Sequence, residues 1–308
     1  DELLFSLEFF RRTGHALAGR PAPELVMPEG GTCVSYRLDS VGRGRIMTVP
    51  VHIGGNVRDF VFDTGAAQFN FVSERFAREN GIRMIADSIP VAGIGRGWVG
   101  LGVADSLAVG GIVMRNPVFL ISPPDQATDT IEVISAVLGN AFMRKAERFT
   151  IDNRTRHIVF PAERTLHADG TERMANMMLN SFQPYVRIHA DGIPLLFHFD
   201  TGQRGDDPLT PHITNSFREQ VDSCGVEDTV RIRGFAGVAE NVCYRLPSVE
   251  FTLEGVPFTL RDIDVLPSGS AGATAGSEAG SLGTDFATAF DTLTVDYTSC
   301  TVRGENVP

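Results

Sequence analysis

The chain has 308 residues, 43% of them apolar and 21% charged, an ordinary globular composition with room for two cores. Its net charge is −11 and its pI about 5.1, with no Lys or Arg cluster, so nucleic acid and anionic membranes are poor candidates for partners. No apolar run reaches the ~18 residues of a membrane-spanning helix, and the four cysteines form no Cys-x-x-Cys pair, which argues against zinc.

In chain order, residues 1–18 place Leu3, Leu4, Leu7 and Phe10 at helical spacing. They predict an amphipathic helix that packs on a neighbouring lobe, with an inhibitory segment as the alternative. No signal-peptide pattern opens the sequence. A Pro/Gly-rich stretch, Gly19 to Gly31, then separates this helix from the repeats, and 1–45 reads as an N-terminal helical leader. The first domain, 46–161, opens with two apolar runs around Gly54-Gly55-Asn56, a hairpin by pattern that delivers Asp63. Ser73 predicts a helix cap, with a stop at Gly81. Extended segments follow at 84–94, 98–109 and 112–121. Gly95 to Gly100 spells Gly-x-Gly-x-x-Gly, but no helical pattern follows, so a glycine-rich hairpin tip is expected there rather than a dinucleotide loop. A polar linker, 162–180, leads to a second domain, 181–308. Strands near 185–190 and 194–199 end at Asp200. A helix near Pro211 and strands at 229–235, 241–253 and 256–266 follow. The segment from Pro267 to Gly280 reads as a loop.

The informative feature is a doublet. Asp63-Thr64-Gly65 and Asp200-Thr201-Gly202 each end an apolar run, 137 positions apart. One copy has roughly a one-in-ten chance of arising by composition alone; two in matched contexts do not read as accident. Gly139, in Val137-Leu138-Gly139, stands 76 positions after Asp63, and Gly283, in Ser281-Leu282-Gly283, stands 83 after Asp200. Phe142 and Phe286 follow, then Phe149-Thr150-Ile151-Asp152 and Leu293-Thr294-Val295-Asp296. This is a duplicated domain. Two aspartates brought to a common axis cannot both ionise freely, and a pair sharing a proton can serve as general base and acid on one water. Gly65 and Gly202 allow close backbone approach to the acids, and Ala66 is small enough to sit beneath them.

With these motifs the chain resembles the aspartic peptidases of the retropepsin-like and pepsin-like fold, in particular bacterial two-lobed proteins built from two fused retropepsin-sized halves. The resemblance covers about 46–161 and 181–303. It implies an all-β, bilobal acid-protease fold with short helices and two β-barrel-like lobes related by a pseudo-twofold axis. It implies an aspartic-type endopeptidase with Asp63 and Asp200 as catalytic acids. Thr64 and Thr201 would bond across the axis, each to the opposite loop. Ile94, Gly95, Gly97 and Trp98 would belong to a flap over substrate, with Phe235 and Gly237 at the matching place in the second lobe. A core position is the rival reading for Trp98. The partner implied is a peptide or protein substrate; no metal or organic cofactor is called for. Both acids lie in one chain, so a monomer is expected, and a bacterial periplasmic or cell-surface location.

One segment departs from the pattern. Gln203 to Pro208 stands where a small residue and then Ser or Thr is usual. A catalytically silent peptide-binding or structural protein on the same scaffold is therefore the alternative. A carbohydrate-binding β protein fits less well, since Trp and Tyr total only five. His198 reads as a packed histidine, and no Gly-x-Ser-x-Gly supports a serine triad. Asp206-Asp207 reads as an exposed acidic loop rather than a cation site. The cysteines (Cys33, Cys224, Cys243, Cys300) read as buried free thiols, with one disulfide in the second half as the alternative.

Overall fold

The computed structural model describes residues 2–42, 44–93, 95–124, 135–162, 174–203, 205, 209, 217–234, 237–267, 270 and 278–307. In chain order the elements are α1 (Glu2–Leu17), β1 (Glu24–Val26), β2 (Thr32–Ser35), β3 (Arg37–Val41), β4 (Gly44–Ile53), β5 (Asn56–Asp63), β6 (Asn70–Ser73) and α2 (Glu74–Glu79). Then come β7 (Arg83–Gly93), β8 (Gly95–Val103), β9 (Ser106–Val109), β10 (Ile112–Arg115), β11 (Val118–Ser122), β12 (Ala136–Gly139), α3 (Asn140–Ala146), β13 (Arg148–Asp152) and β14 (His157–Phe160). The second half has β15 (Met177–Asn180), β16 (Gln183–Ala190), β17 (Ile193–Phe199), α4 (Arg218–Cys224), β18 (Val226–Gly234), β19 (Gly237–Leu253) and β20 (Val256–Val265). It closes with β21 (Ser281–Leu282), α5 (Thr284–Ala287), β22 (Thr292–Asp296) and β23 (Thr301–Glu305).

Among the described residues these strands form three sheets, and the fold is all-β and bilobal. Eleven strands, β1 and β3 to β12, make the sheet of the first lobe, and seven, β15 to β21, that of the second. The third sheet, β2-β14-β13-β22-β23, draws strands from both halves. In it the two repeat-equivalent strands β13 and β22 pair antiparallel, Phe149 opposite Val295. Phe149, Ile151, Leu293 and Val295 are fully buried there, so one hydrophobic core runs through both lobes. Arg148 donates to Asp296 at 2.6 Å across this pairing, with the Asp296 carboxylate almost wholly buried. Burial alone would raise that carboxyl; the Thr298 hydroxyl and the Arg148 guanidinium outweigh it and hold it below the usual range.

Several expectations need correction. The leader is not helical throughout: β1, β2 and β3 lie before residue 46 and join two of the sheets. In α1 the stripe formed by Leu4, Leu7 and Phe10 faces solvent, and Phe9, Thr13, Ala16 and Leu17 pack inward. The helix carries two apolar stripes, and helical periodicity alone does not choose between them. The extended segment 98–109 is two strands broken at Ala104-Asp105, and 112–121 is broken at Asn116, whose φ of 52° ends the ladder. The end of the linker is strand β15, paired with β16. The helix placed near Pro211 begins outside the described residues; the observed α4 starts at Arg218 and stops at Gly225. All four cysteines are free, but only Cys243 is buried, where desolvation pushes its thiol up to about 12. Ser73 does cap α2, accepting from the Phe76 amide at 3.1 Å.

Candidate active site

Each Asp-Thr-Gly turn is built the same way. In β5, Phe60 and Phe62 are fully buried; in β17, Phe197 and Phe199 are. Because alternate residues of a strand share a face, these pairs fix the register and leave Asp63 and Asp200 at the strand ends. A parallel partner lies beside each. β12 sets Leu138 against Phe62 and Gly139 against Asp63. β21 sets Leu282 against Phe199. The two glycine-containing segments read in the sequence are therefore the strands that brace the two turns.

The turns meet across a pseudo-twofold axis and exchange hydrogen bonds. The Thr64 hydroxyl donates to the Phe199 carbonyl at 2.7 Å and accepts from the Thr201 amide at 3.0 Å. The Thr201 hydroxyl donates to the Phe62 carbonyl at 2.5 Å and accepts from the Thr64 amide at 3.1 Å. Both threonines are fully buried. Each hydroxyl satisfies one donor and one acceptor of the other half, a geometry a hydroxyl supplies and a methyl does not.

This grip presses each carboxylate against the opposite glycine. A Cβ placed on Gly65 would lie 2.3 Å from Asp200 Cγ, and one on Gly202 would lie 2.3 Å from Asp63 Cγ. Only glycine leaves room at either position. The Ala66 amide donates to Asp63 Oδ1 at 2.8 Å and the Gly202 amide to Asp200 Oδ1 at 2.9 Å. Desolvation, and then the adjacent Asp200 charge, push the Asp63 carboxyl well above the ordinary carboxylate range. Such an arrangement can share one proton between its two acids.

Two contributors lie outside the motifs. Asn140, the first residue of α3, donates its amide to the Ala66 carbonyl at 2.8 Å. Its side chain donates to the Phe182 carbonyl at 2.5 Å and accepts from the Tyr297 hydroxyl. Gln183 Nε2 donates to the Gly65 carbonyl at 2.9 Å. The first Asp loop is thus tied to the start of the second lobe. A usable sequence signal existed for Asn140 alone: it follows Gly139 as Thr284 follows Gly283. Thr284 does the matching job, donating its hydroxyl to the Gln203 carbonyl at 3.0 Å.

The other sequence candidates are placed as follows. Gly93 pairs with Gly95 and Val91 with Gly97 in the β7–β8 hairpin, where a flap was expected; Ile94 lies outside the described residues. Trp98, on β8, is half exposed rather than in the core, with its ring 6.1 Å from that of Phe5 in α1. Gly237 pairs with Gly234 in the β18–β19 hairpin, and Phe235 lies outside the described residues, as do Asp206 and Asp207. Gln203 packs its Cβ beside Gly283. His198 pairs with Ser281, Nδ1 to Oγ at 3.2 Å. Among the described residues no three His, Cys, Asp or Glu side chains cluster as metal ligands.

Residues 49–142 match the family model described as aspartyl protease. The aspartic proteinase from Irpex lacteus is similar in fold over 91% of this chain and 96% of its own, with a TM-score of 0.50 and 12% identity. The chain has the aspartic-proteinase fold. A second solved structure, edgp, aligns over 90% of this chain and 95% of its own at a TM-score of 0.49 and 11% identity. No curated protein sequence matches the chain significantly. The family match covers the Asp63 half, and the aspartic-proteinase fold extends over both.

Proposed function

We propose that the protein is an aspartic-type endopeptidase that hydrolyses peptide bonds with water activated between Asp63 and Asp200. The observation that carries this reading is the reciprocal dyad: each acid seated against the opposite half's glycine, with the Asp63 carboxyl pushed up by desolvation and by its neighbour. In the ground state one acid of the pair keeps the proton and the other accepts from the water. The water oxygen attacks the scissile carbonyl carbon while its proton passes to the ionised acid and the other acid's proton passes to the carbonyl oxygen. The resulting diol collapses. The C–N bond breaks, the amine takes the proton that the base received, and a diol proton returns to the other acid. The substrate is an extended peptide held in part by main-chain bonds. One chain supplies both acids, so a monomer suffices.

Cleavage of a peptide library, read by mass spectrometry, tests the reading. A pepstatin-like inhibitor should suppress it. Asp63→Asn and Asp200→Asn should each lower cleavage by about 10²–10⁴-fold with the circular dichroism spectrum unchanged. Full activity in Asp200→Asn would remove the second lobe from the chemistry. A folded wild-type chain that cuts nothing from acid to neutral pH would favour the silent scaffold, the reading that the 203–208 segment motivates.

A further inference from the structure

The strands that carry the expected flap do not stand alone. Ile89, Val91, Val99 and Leu101 of the β7–β8 hairpin form, with Val118, a buried cluster separate from the main core. α1 supplies Phe9, Ala16 and Leu17 to it, and Phe69 joins from the connection between Asp63 and β6. The Phe9 and Phe69 rings are 6.2 Å apart. One helix therefore touches both the hairpin and the chain that leaves the first catalytic turn.

Arg12 is the polar part of this contact. Its Nη1 donates to the Ser88 carbonyl on β7 at 3.0 Å, and its guanidinium lies 5.6 Å from the centre of the Trp98 ring on β8. Ser88 has a φ of 54° and sits where the β7–β8 register shifts. Glu8 holds Arg12 from within α1, accepting from its Nε at 2.5 Å. Shared with Arg11, that anchor holds the Glu8 carboxyl down to about 2. Phe5 packs edge-on against Trp98, and Arg96 of β8 lies over Phe5 at 5.1 Å. A planar fork is what permits one side chain to reach a carbonyl, a carboxylate and a ring at once.

We propose that Arg12, backed by Phe5 and Phe9, is a positioning residue for peptide cleavage: it clamps both strands of the β7–β8 hairpin and fixes them relative to the Asp63 loop. This rests on the endopeptidase reading for its effect on activity. The clamp lies outside the dyad and contributes no group to the chemistry. Its consequence is for substrate capture: a hairpin held in place loses less freedom when a peptide binds under it.

The test uses the full chain with Arg12→Gln, Arg12→Lys and, as a control on the solvent face of the same helix, Leu7→Ser. Amide hydrogen exchange across residues 86–101 and Trp98 emission report the clamp without reference to activity. Arg12→Gln should speed exchange there by about 10-fold, alter Trp98 emission and raise KM roughly 3–10-fold at nearly constant kcat, the range set by one ring contact and one hydrogen bond. Arg12→Lys should fall between, and Leu7→Ser should match wild type. Unchanged exchange and emission in Arg12→Gln would overturn the proposal. So would a rise in activity, which would make α1 a restraint, or an equal effect from Leu7→Ser. If wild type cuts no peptide while exchange still responds to Arg12→Gln, the endopeptidase reading fails and the clamp on the hairpin stands.

Discussion

The two halves around the dyad agree on one side of their strands and differ on the other. Facing the cores, Phe60 and Phe62 in the first half match Phe197 and Phe199 in the second, all fully buried. On the opposite face the first half sets Val61, Val137 and Ala66 in an apolar cluster with Ile46 and Phe71. The repeat-equivalent positions in the second half are His198, Ser281 and Gln203. The loops themselves stay alike: each threonine grips the opposite strand, and each glycine accommodates the opposite acid. The lesson is that symmetry is kept where one carboxyl pair needs both halves. It is lost one residue away, where the first half's cluster draws on its own residues.

The threonine exchange gives the largest expected effect on stability. Thr64→Val would leave the Thr201 amide and the Phe199 carbonyl buried without partners, and Thr201→Val would orphan the Thr64 amide and the Phe62 carbonyl. Each stranded group costs about 1–3 kcal/mol. Urea unfolding should therefore show losses of similar size for the two variants, with Thr64→Ser and Thr201→Ser near wild type because the hydroxyl remains. A large loss for one threonine and none for the other would break the symmetry at its centre.

That reciprocity also explains what the sequence could reveal. Asp, Thr and Gly at the turns are demanded by chemistry that tolerates few other residues, so both turns and their glycine-bearing brace strands were readable. The apolar runs that end at Asp63 and Asp200 marked the strands that deliver the acids. Gln183, Asn140 and Arg12 were not readable in the same way, because their partners lie far along the chain: Gly65, Phe182 and Ser88. The inward face of α1 was misjudged for a related reason. Leu4 and Leu7 are more apolar than Thr13, yet Thr13 is the buried residue, with its hydroxyl donating to the Phe9 carbonyl at 2.8 Å.

A smaller effect tests the charge balance of the dyad. The folded Asp63 carboxyl is raised, so the native state holds its proton more tightly than the unfolded chain does. Stability then falls as pH rises from the ordinary carboxylate range, near ~4, to the raised value, and stays lower above it. Asp63→Asn removes this penalty. Its melting temperature should exceed that of wild type at neutral pH, and the gain should vanish at about pH 4. The Arg148–Asp296 pair runs the other way: its carboxyl is depressed, so its contribution is present above the ordinary range and lost as pH falls below it. A melting-temperature series from acid to neutral pH separates the two slopes. No pH-dependent gain in Asp63→Asn would mean that neither burial nor the Asp200 charge raises the Asp63 carboxyl in the folded state.

The smallest effect addresses the divergent face directly. His198 bonds Ser281 through Nδ1, while its buried Nε2 has no partner among the described residues. An unpaired buried polar atom costs free energy, whereas exchanging both members of a polar pair for apolar groups is close to neutral or favourable. Ser281→Val alone strands a second imidazole nitrogen and should destabilise by about 1 kcal/mol. His198→Leu combined with Ser281→Val gives the second half a face like that of Val61 and Val137. The pair should regain that loss and reach wild-type stability or slightly above it. Urea unfolding of the two single variants and the double variant measures the coupling. Additive losses would show that His198 and Ser281 act independently, so that the polar face of the second lobe would need another explanation than a mutually satisfied pair.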